Sequence, residues 1–285
     1  MDTHALLSPC GGSAPREAAD YRSDTKPIWC PGCGDYSVLA ALTKALAELQ
    51  LPPHEVAIVS GIGCSSRFPA FTSVYGFHGV HGRALPTATG LKLARPDLTV
   101  LVTGGDGDGF SIGGNHFLHA CRRNVDLTYI VMDNQVYGMT KGQASPTTAA
   151  DWDGSDLTPG GTGMEPIQPL MLGLTAGANF LARGFSNDPN TTARLIVEAI
   201  RHPGFSLVHI LSPCVTFRPE QKGWRSLIRP IELPPTSDRR EAITRLLDDD
   251  GFNVGQVIFA GERPPFRPYR CSVQPIESIG GEFAL

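Results

Sequence analysis

Short apolar runs, each closed by glycine or small polar residues, recur along the 285-residue chain. Val56 to Ser60, Thr99 to Thr103, Leu127 to Asp133 and Phe205 to Leu211 are nearly unbroken in apolar character. That is the pattern of strands buried on both faces. A shorter run, Asn179 to Ala182, reads the same way. Between the runs the spacing changes to that of helices. Residues 36–49 place Val38, Leu39, Leu42, Leu46 and Leu49 on one face, with Asp35 as the expected N-cap and Pro52-Pro53 as the stop. Helices are also expected from Ala84 or Pro86 to Ala94, and over 115–123, 169–176, 191–201 and 239–248. Strands alternating with helices predict an α/β fold with a mostly parallel sheet flanked by helices. Beyond Phe217 the pattern loosens into a proline-rich arm, with 263–270 extended.

The chemistry-bearing residues lie where the strands end. Gly105-Asp106-Gly107 follows the strand at 99–103, and Asn134 follows the strand at 127–133. A carboxylate and an amide oxygen at matched strand ends suit Mg²⁺, which takes a few protein oxygens and completes its octahedron with phosphate oxygens. The Val136 carbonyl is the candidate third ligand. Gly107 and Gly109 let a diphosphate approach the main chain. An Asp on a glycine turn is ordinarily a turn former; the matched position of Asn134 lifts the pair above that reading. GxGxxG is missing, which weakens a dinucleotide site. His78, His81 and Arg83 on a glycine-rich loop before a helix suggest an anion site, and Lys141 puts a cation near the same place.

Seven cysteines change the picture. Cys30 and Cys33 form a CxxC, Cys64 sits on the turn after the strand at 56–60, and Cys214 closes the strand at 205–211. Clustered thiols in a chain with no secretory signal point to a reducing compartment, and to a metal or redox centre rather than disulfides. The CxxC alone leaves zinc and iron–sulfur open. Cys10, Cys121 and Cys271 read as structural or incidental. The formal net charge of -4 and the lack of a basic tract argue against nucleic acid. No apolar run reaches membrane-span length. Residues 1–25 read as a mobile leader, 26–217 as the domain that carries these residues, 144–166 as a long loop, functional or partner-facing, and 218–285 as an arm that packs on a partner or covers the site.

Taken in order, Trp29-Cys-Pro-Gly-Cys-Gly34, Ile62-Gly-Cys-Ser-Ser-Arg67, His81-Gly-Arg83, Gly105-Asp-Gly-Asp108, Asn134-Gln-Val-Tyr-Gly-Met-Thr-Lys-Gly-Gln143 and Ser212-Pro-Cys214 resemble the β subunit of 2-oxoacid:ferredoxin oxidoreductases. The 2-oxoglutarate branch is the nearest match, and the resemblance covers residues 26 to 217. It implies a thiamine-diphosphate-binding fold with thiamine diphosphate, Mg²⁺ and one [4Fe-4S] cluster. By resemblance, Cys30, Cys33, Cys64 and Cys214 ligate the cluster, and Asp106, Asn134 and Val136 hold Mg²⁺. Ile62, Gly63, Cys64, Ser65, His81, Gly107, Asp108, Gly138, Met139 and Thr140 line the thiamine cofactor. Arg67 and Lys141 face the acyl substrate or coenzyme A. The implied reaction is oxidative decarboxylation of a 2-oxoacid, with 2-oxoglutarate first, to acyl-CoA and CO₂, and electrons passing to ferredoxin. An α subunit supplies the pyrimidine-binding domain in an αβ heterodimer or (αβ)₂, in the cytoplasm, so this chain alone is expected not to turn over. The alternatives are a pyruvate or broad-specificity subunit and a non-catalytic zinc or iron–sulfur scaffold.

Overall fold

The computed structural model describes residues 14–266. The apolar runs become strands β1 (Val56–Ser60), β2 (Tyr75–His78), β3 (Thr99–Gly105), β4 (Leu127–Asp133), β5 (Phe180–Phe185) and β6 (Phe205–Leu211). Two-residue strands β7 (Arg229–Pro230) and β8 (Asn253–Val254) pair with each other, and β9 (Gln256–Ala260) follows. The main sheet has seven strands in the order β2-β1-β3-β4-β6-β5-β9. Every neighbouring pair in it is parallel except β5 with β9.

Because both faces are covered, successive strand residues feed two cores. Val59, Val100, Val102, Tyr129 and Val131 pack on one side; Ile58, Leu101, Ile130 and Met132 pack on the other. The second side is covered by α1 (Asp35–Glu48), through Val38, Leu39, Leu42 and Leu46. A four-residue helix, α2 (Phe68–Phe71), adds Phe68 and Phe71 to that side. The first side is covered by α3 (Ala84–Ala94), α4 (Gly114–Arg123) and α5 (Pro169–Ala176). Helix α6 (Pro189–Arg201) joins α1, and its N-terminus is capped by Asp188, which accepts from the Thr191 N–H at 3.0 Å. A one-turn α7 (Trp224–Leu227) leads to α8 (Arg239–Leu247), which adds Ala242 and Leu246 to the first core. Cys121 is fully buried in that core, as a packing thiol. Cys10 and Cys271 lie outside the described residues.

Several expectations change. Asp35 is not an N-cap: the helix starts on it, Gly34 holds the cap position, and the buried carboxylate accepts instead from the Ser212 hydroxyl at 2.9 Å. The strand expected over 179–182 runs to Phe185. Strand β2 is an addition to the expected strands; all four of its residues are exposed, so no buried run marks it. The strand β9 falls inside the expected arm and adds an antiparallel edge to the main sheet. The expected extended segment 263–270 lies partly outside the described residues. Among those that are described, no helix is long and apolar enough to cross a membrane.

Candidate functional site

The order of the sheet decides where a ligand fits. β1 leads outward to β2 on one side, while β3 leads to β4 on the other, so the turns after β1 and β3 diverge. A crevice opens at such a switch point, outside the carboxyl ends of the strands. Here it is a cavity of about 210 Å³. It is walled by Ile62, Gly63, Cys64 and Ser65 after β1, by Gly105 to Asp108 after β3, by Asn134 and Val136 to Thr140 after β4, and by His81. All ten cofactor-lining candidates and the three magnesium candidates are therefore on one wall. Arg67 and Lys141 are not: each sits on a loop that forms the wall, with Lys141 exposed and Arg67 half-buried. His78 and Arg83 also fall outside. His78 ends β2 and hydrogen-bonds Ser60 Oγ at 2.9 Å, and Arg83 heads α3.

Asp108 holds the wall together. Its Oδ1 accepts from the main-chain N–H of Ile62 at 2.9 Å and of Gly82 at 2.7 Å, and from His81 Nδ1 at 2.7 Å. With Nδ1 donating, His81 keeps Nε2 free for a ligand. Gly63 turns at φ +112, a backbone conformation that favours glycine although a Cβ there would meet open space. Gly107 is needed for space: a Cβ there would lie 2.2 Å from the Tyr137 ring.

Asp106 is almost wholly buried at the base. Its Oδ1 accepts from the Asn134 N–H at 3.3 Å, and its Oδ2 faces the Thr147 hydroxyl at 3.1 Å. That hydroxyl is 2.8 Å from Asp133 Oδ1, so it stands between two carboxylates. Burial, and then the Asp133 charge, push the Asp106 carboxyl well above the usual carboxylate range. A cation would relieve both effects. The available donors are hard oxygens: the Asp106 carboxylate, the Asn134 amide and the Val136 carbonyl. Among the described residues no three His, Cys, Asp or Glu side chains converge as a single-ion cage. A cation here would therefore draw on main-chain and diphosphate oxygens, as Mg²⁺ does.

Behind Asp133 the polar chain continues. His209 Nε2 is 2.8 Å from Asp133 Oδ2, Arg183 Nε reaches His209 Nδ1 at 3.4 Å, and Arg183 pairs with Asp249. These groups line a second cavity, about 270 Å³, together with apolar residues of α5 and α8. Its charged groups already have partners, so it offers a ligand less than the first does.

Two of the four candidate cysteines, Cys64 and Cys214, flank Gly138 of the 134–143 loop. A Cβ on Gly138 would lie 3.6 Å from Cys214 Sγ and 4.0 Å from Cys64 Sγ. Burial pushes the Cys64 thiol up to about 11, with help from Asp35, Cys214 and Cys30. The Cys33 thiol is raised too, by burial and then by Asp35, with smaller effects from Cys64 and Cys214. These mutual effects put the thiols in one neighbourhood; Cys30 is the exposed member. Trp29 Nε1 donates to the Cys64 carbonyl at 2.8 Å and so ties the CxxC segment to the turn after β1.

Residues 61–210 match the thiamine pyrophosphate enzyme C-terminal TPP-binding domain, which covers more than half of the chain. The chain is 41% identical to 2-oxoglutarate:ferredoxin oxidoreductase from Magnetococcus marinus, in a structure with 2-oxoglutarate, coenzyme A and succinyl-CoA bound. The two superpose with a TM-score of 0.85 over 89% of this chain and 88% of that one. The chain belongs to the β-subunit family of the 2-oxoacid:ferredoxin oxidoreductases. Among curated relatives it is 46% identical to the 2-oxoglutarate oxidoreductase subunit KorB of Mycobacterium tuberculosis, over 71% of this chain and 54% of the relative. It is 45% identical to subunit beta of 2-oxoacid:ferredoxin oxidoreductase 1 of Aeropyrum pernix, over 72% and 64%. The match thus spans from about half to just under two thirds of those two relatives.

Some residues at the site had no signal in the sequence. Thr147 lies in a Ser/Thr/Pro-rich loop, and Gln221 and Arg218 lie past the last motif. Each acts on main-chain or carboxylate atoms that are distant in sequence, which no local pattern records.

Proposed function

We propose that this chain is the β subunit of a CoA-acylating 2-oxoacid:ferredoxin oxidoreductase, with 2-oxoglutarate as first substrate. The carrying observation is the 134–143 loop. It walls the cavity that holds Asp106 and Asn134, and Gly138 on the same loop lies against the sulfurs of Cys64 and Cys214. Carbon chemistry and electron exit thus share a single loop. When bound, thiamine diphosphate supplies the electron sink for decarboxylation, and a [4Fe-4S] cluster supplies one-electron steps.

The chain's own residues then have distinct tasks. Asp106, Asn134 and the Val136 carbonyl would hold Mg²⁺, which would supply positive charge for the diphosphate. Ile62 to Ser65, His81 and Gly138 to Thr140 line the cofactor, while Asp108 holds those segments in register. Cys30, Cys33, Cys64 and Cys214 are the cluster ligands. Arg67 and Lys141 place positive charge on the loops around the cavity, where an anionic oxoacid or coenzyme A would arrive. Next to the cavity, β2 and its loop expose Tyr75, Phe77 and Val80 at 57%, 53% and 70%. A patch of that kind suits a partner surface, here for the α subunit in an αβ or (αβ)₂ assembly. A reducing, cytoplasmic setting suits the free thiols.

Co-expression with the α subunit tests the reading, through CoA-dependent reduction of ferredoxin or viologen across a panel of 2-oxoacids. Activity led by 2-oxoglutarate supports it. The broader name of the Aeropyrum relative makes pyruvate and branched oxoacids the comparison. An iron-loaded complex that reduces nothing with any of them would overturn the activity. Colourless protein carrying stoichiometric zinc after anaerobic purification would favour the scaffold instead.

A further inference from the structure

The turn at 218–221 sits just beyond the last strand of the matched domain, yet it grips both halves of the site. Gln221 is 1% exposed. Its Oε1 accepts the Cys214 N–H at 2.9 Å, and its Nε2 donates to the Asn134 carbonyl at 2.7 Å. One amide therefore spans from a candidate cluster ligand to a candidate cation ligand. Its neighbours reinforce the grip. Arg218 Nη1 donates to the Gln135 carbonyl at 2.9 Å, and the Arg218 N–H bonds the Cys214 carbonyl at 2.9 Å. The Arg218 guanidinium is stacked 4.3 Å over Trp152 and paired with Glu220, so the turn is itself held against the 144–166 loop.

We propose that Gln221 is a positioning residue that fixes the cation-side turn at Asn134 and the cluster-side turn at Cys214 relative to each other. This rests on the functional reading above. A glutamine suits the task because it offers one acceptor and one donor at the end of a single side chain. Both partners are main-chain groups, so the link holds the loops without engaging the Asn134 amide or the Cys214 sulfur. It also keeps the Cys214 N–H pointed away from sulfur. An N–H released to a cluster sulfur would make the cluster easier to reduce, since such hydrogen bonds tune its potential.

Two variants of the αβ complex separate the halves of the link. Gln221→Leu removes both bonds. Gln221→Glu keeps an acceptor for Cys214 and loses the donor to Asn134; it also retains the side-chain shape if the Leu variant fails to assemble. Three quantities are read: Mn²⁺ affinity in the presence of thiamine diphosphate, by electron paramagnetic resonance; the midpoint potential of the cluster; and hydrogen exchange at the Cys214 amide. In Gln221→Leu, Mn²⁺ binding is expected to weaken by roughly three- to tenfold, as for one neutral hydrogen bond. The potential should rise and the Cys214 amide should exchange faster. In Gln221→Glu the Mn²⁺ loss should persist, while the Cys214 amide stays protected and the potential does not rise. Wild-type values for Mn²⁺ or for Cys214 exchange in the Leu variant would overturn the link, as would equally fast Cys214 exchange in both variants. A wild-type complex without iron and sulfide would sink the cluster assignment instead, and the exchange result would still decide whether Gln221 holds the Cys214 turn.

Discussion

Replacing Asp108 separates a residue that holds the cavity together from one that merely contacts its contents. Three donors converge on Oδ1: Ile62 N–H, Gly82 N–H and His81 Nδ1. The side chain is 2% exposed, so water cannot easily stand in for it. Asp108→Ala leaves all three donors unpaired. At about 1–3 kcal/mol for each buried group left without a partner, three donors give about 3–9 kcal/mol, and the loss should fall toward the lower end because His81 is 38% exposed and water can reach it. That is a large fraction of a net stability of about 5–15 kcal/mol. Asp108→Asn keeps an acceptor oxygen but not the charge. Bonds to charged acceptors exceed neutral ones by roughly 1 kcal/mol each, so about 2–3 kcal/mol should go. Urea unfolding of the purified protein gives the loss, and hydrogen exchange at Ile62 and Gly82 localises it. Thiamine diphosphate affinity should fall with both. If Asp108→Ala weakened cofactor binding but left the unfolding midpoint and both amides unchanged, Asp108 would be a ligand contact and the reasoning would fail.

Other perturbations test other parts of the site. Gly107→Ala drives a Cβ to 2.2 Å from the Tyr137 ring, so the ring must leave and its 3.2 Å bond to the Gly107 carbonyl must break. The strain should cost about 1–3 kcal/mol, and calorimetric titration should show cofactor binding lost; unchanged binding refutes the cavity as its site. Cys64→Ser or Cys214→Ser should lower iron and sulfide content after anaerobic purification, whereas Cys121→Ser should leave both unchanged. Full iron in the first two variants would remove those cysteines from the ligand set. Burial and Asp133 raise the folded carboxyl of Asp106, so a proton competes with the cation through the neutral range. Cation affinity should therefore be highest on the alkaline side and weaken by up to about tenfold per unit as pH falls below the raised value. A flat Mn²⁺ affinity between about pH 8 and pH 6 would remove Asp106 from the ligand set.

How much of this fold was legible depends on what each element is made of. β1, β3, β4 and β6 are buried on both faces, so each is a continuous apolar run with a glycine or polar stop, and each was found in place. β2 lies at the sheet edge with every residue exposed and has no such run. β9 is a five-residue edge strand that pairs with β5 and bridges Thr236 through Phe259, and it follows a stretch of turns that reads as irregular chain. Asp35 shows the limit of local rules. Its position before a helix matches a cap, but a tertiary partner, the Ser212 hydroxyl, donates to its buried carboxylate instead.

The site divides along the same line. Thiolates, a carboxylate and an amide at strand ends announce themselves by residue type, because few side chains can do their chemistry. Their positions also follow from the sheet, since parallel strands bring their carboxyl ends to one edge. Thr147 and Gln221 carry no such mark. A threonine between two carboxylates, or a glutamine spanning two peptide groups, is ordinary in composition and defined only by atoms far along the chain. Such residues decide how rigidly the loops that carry the candidate ligands are held, and rigidity is what the proposed site needs. Naming candidate ligands is therefore possible from the chain alone, while finding what would keep them in register requires the fold. A variant series confined to the recognisable motifs would leave out Gln221, which bonds the Asn134 and Cys214 turns together.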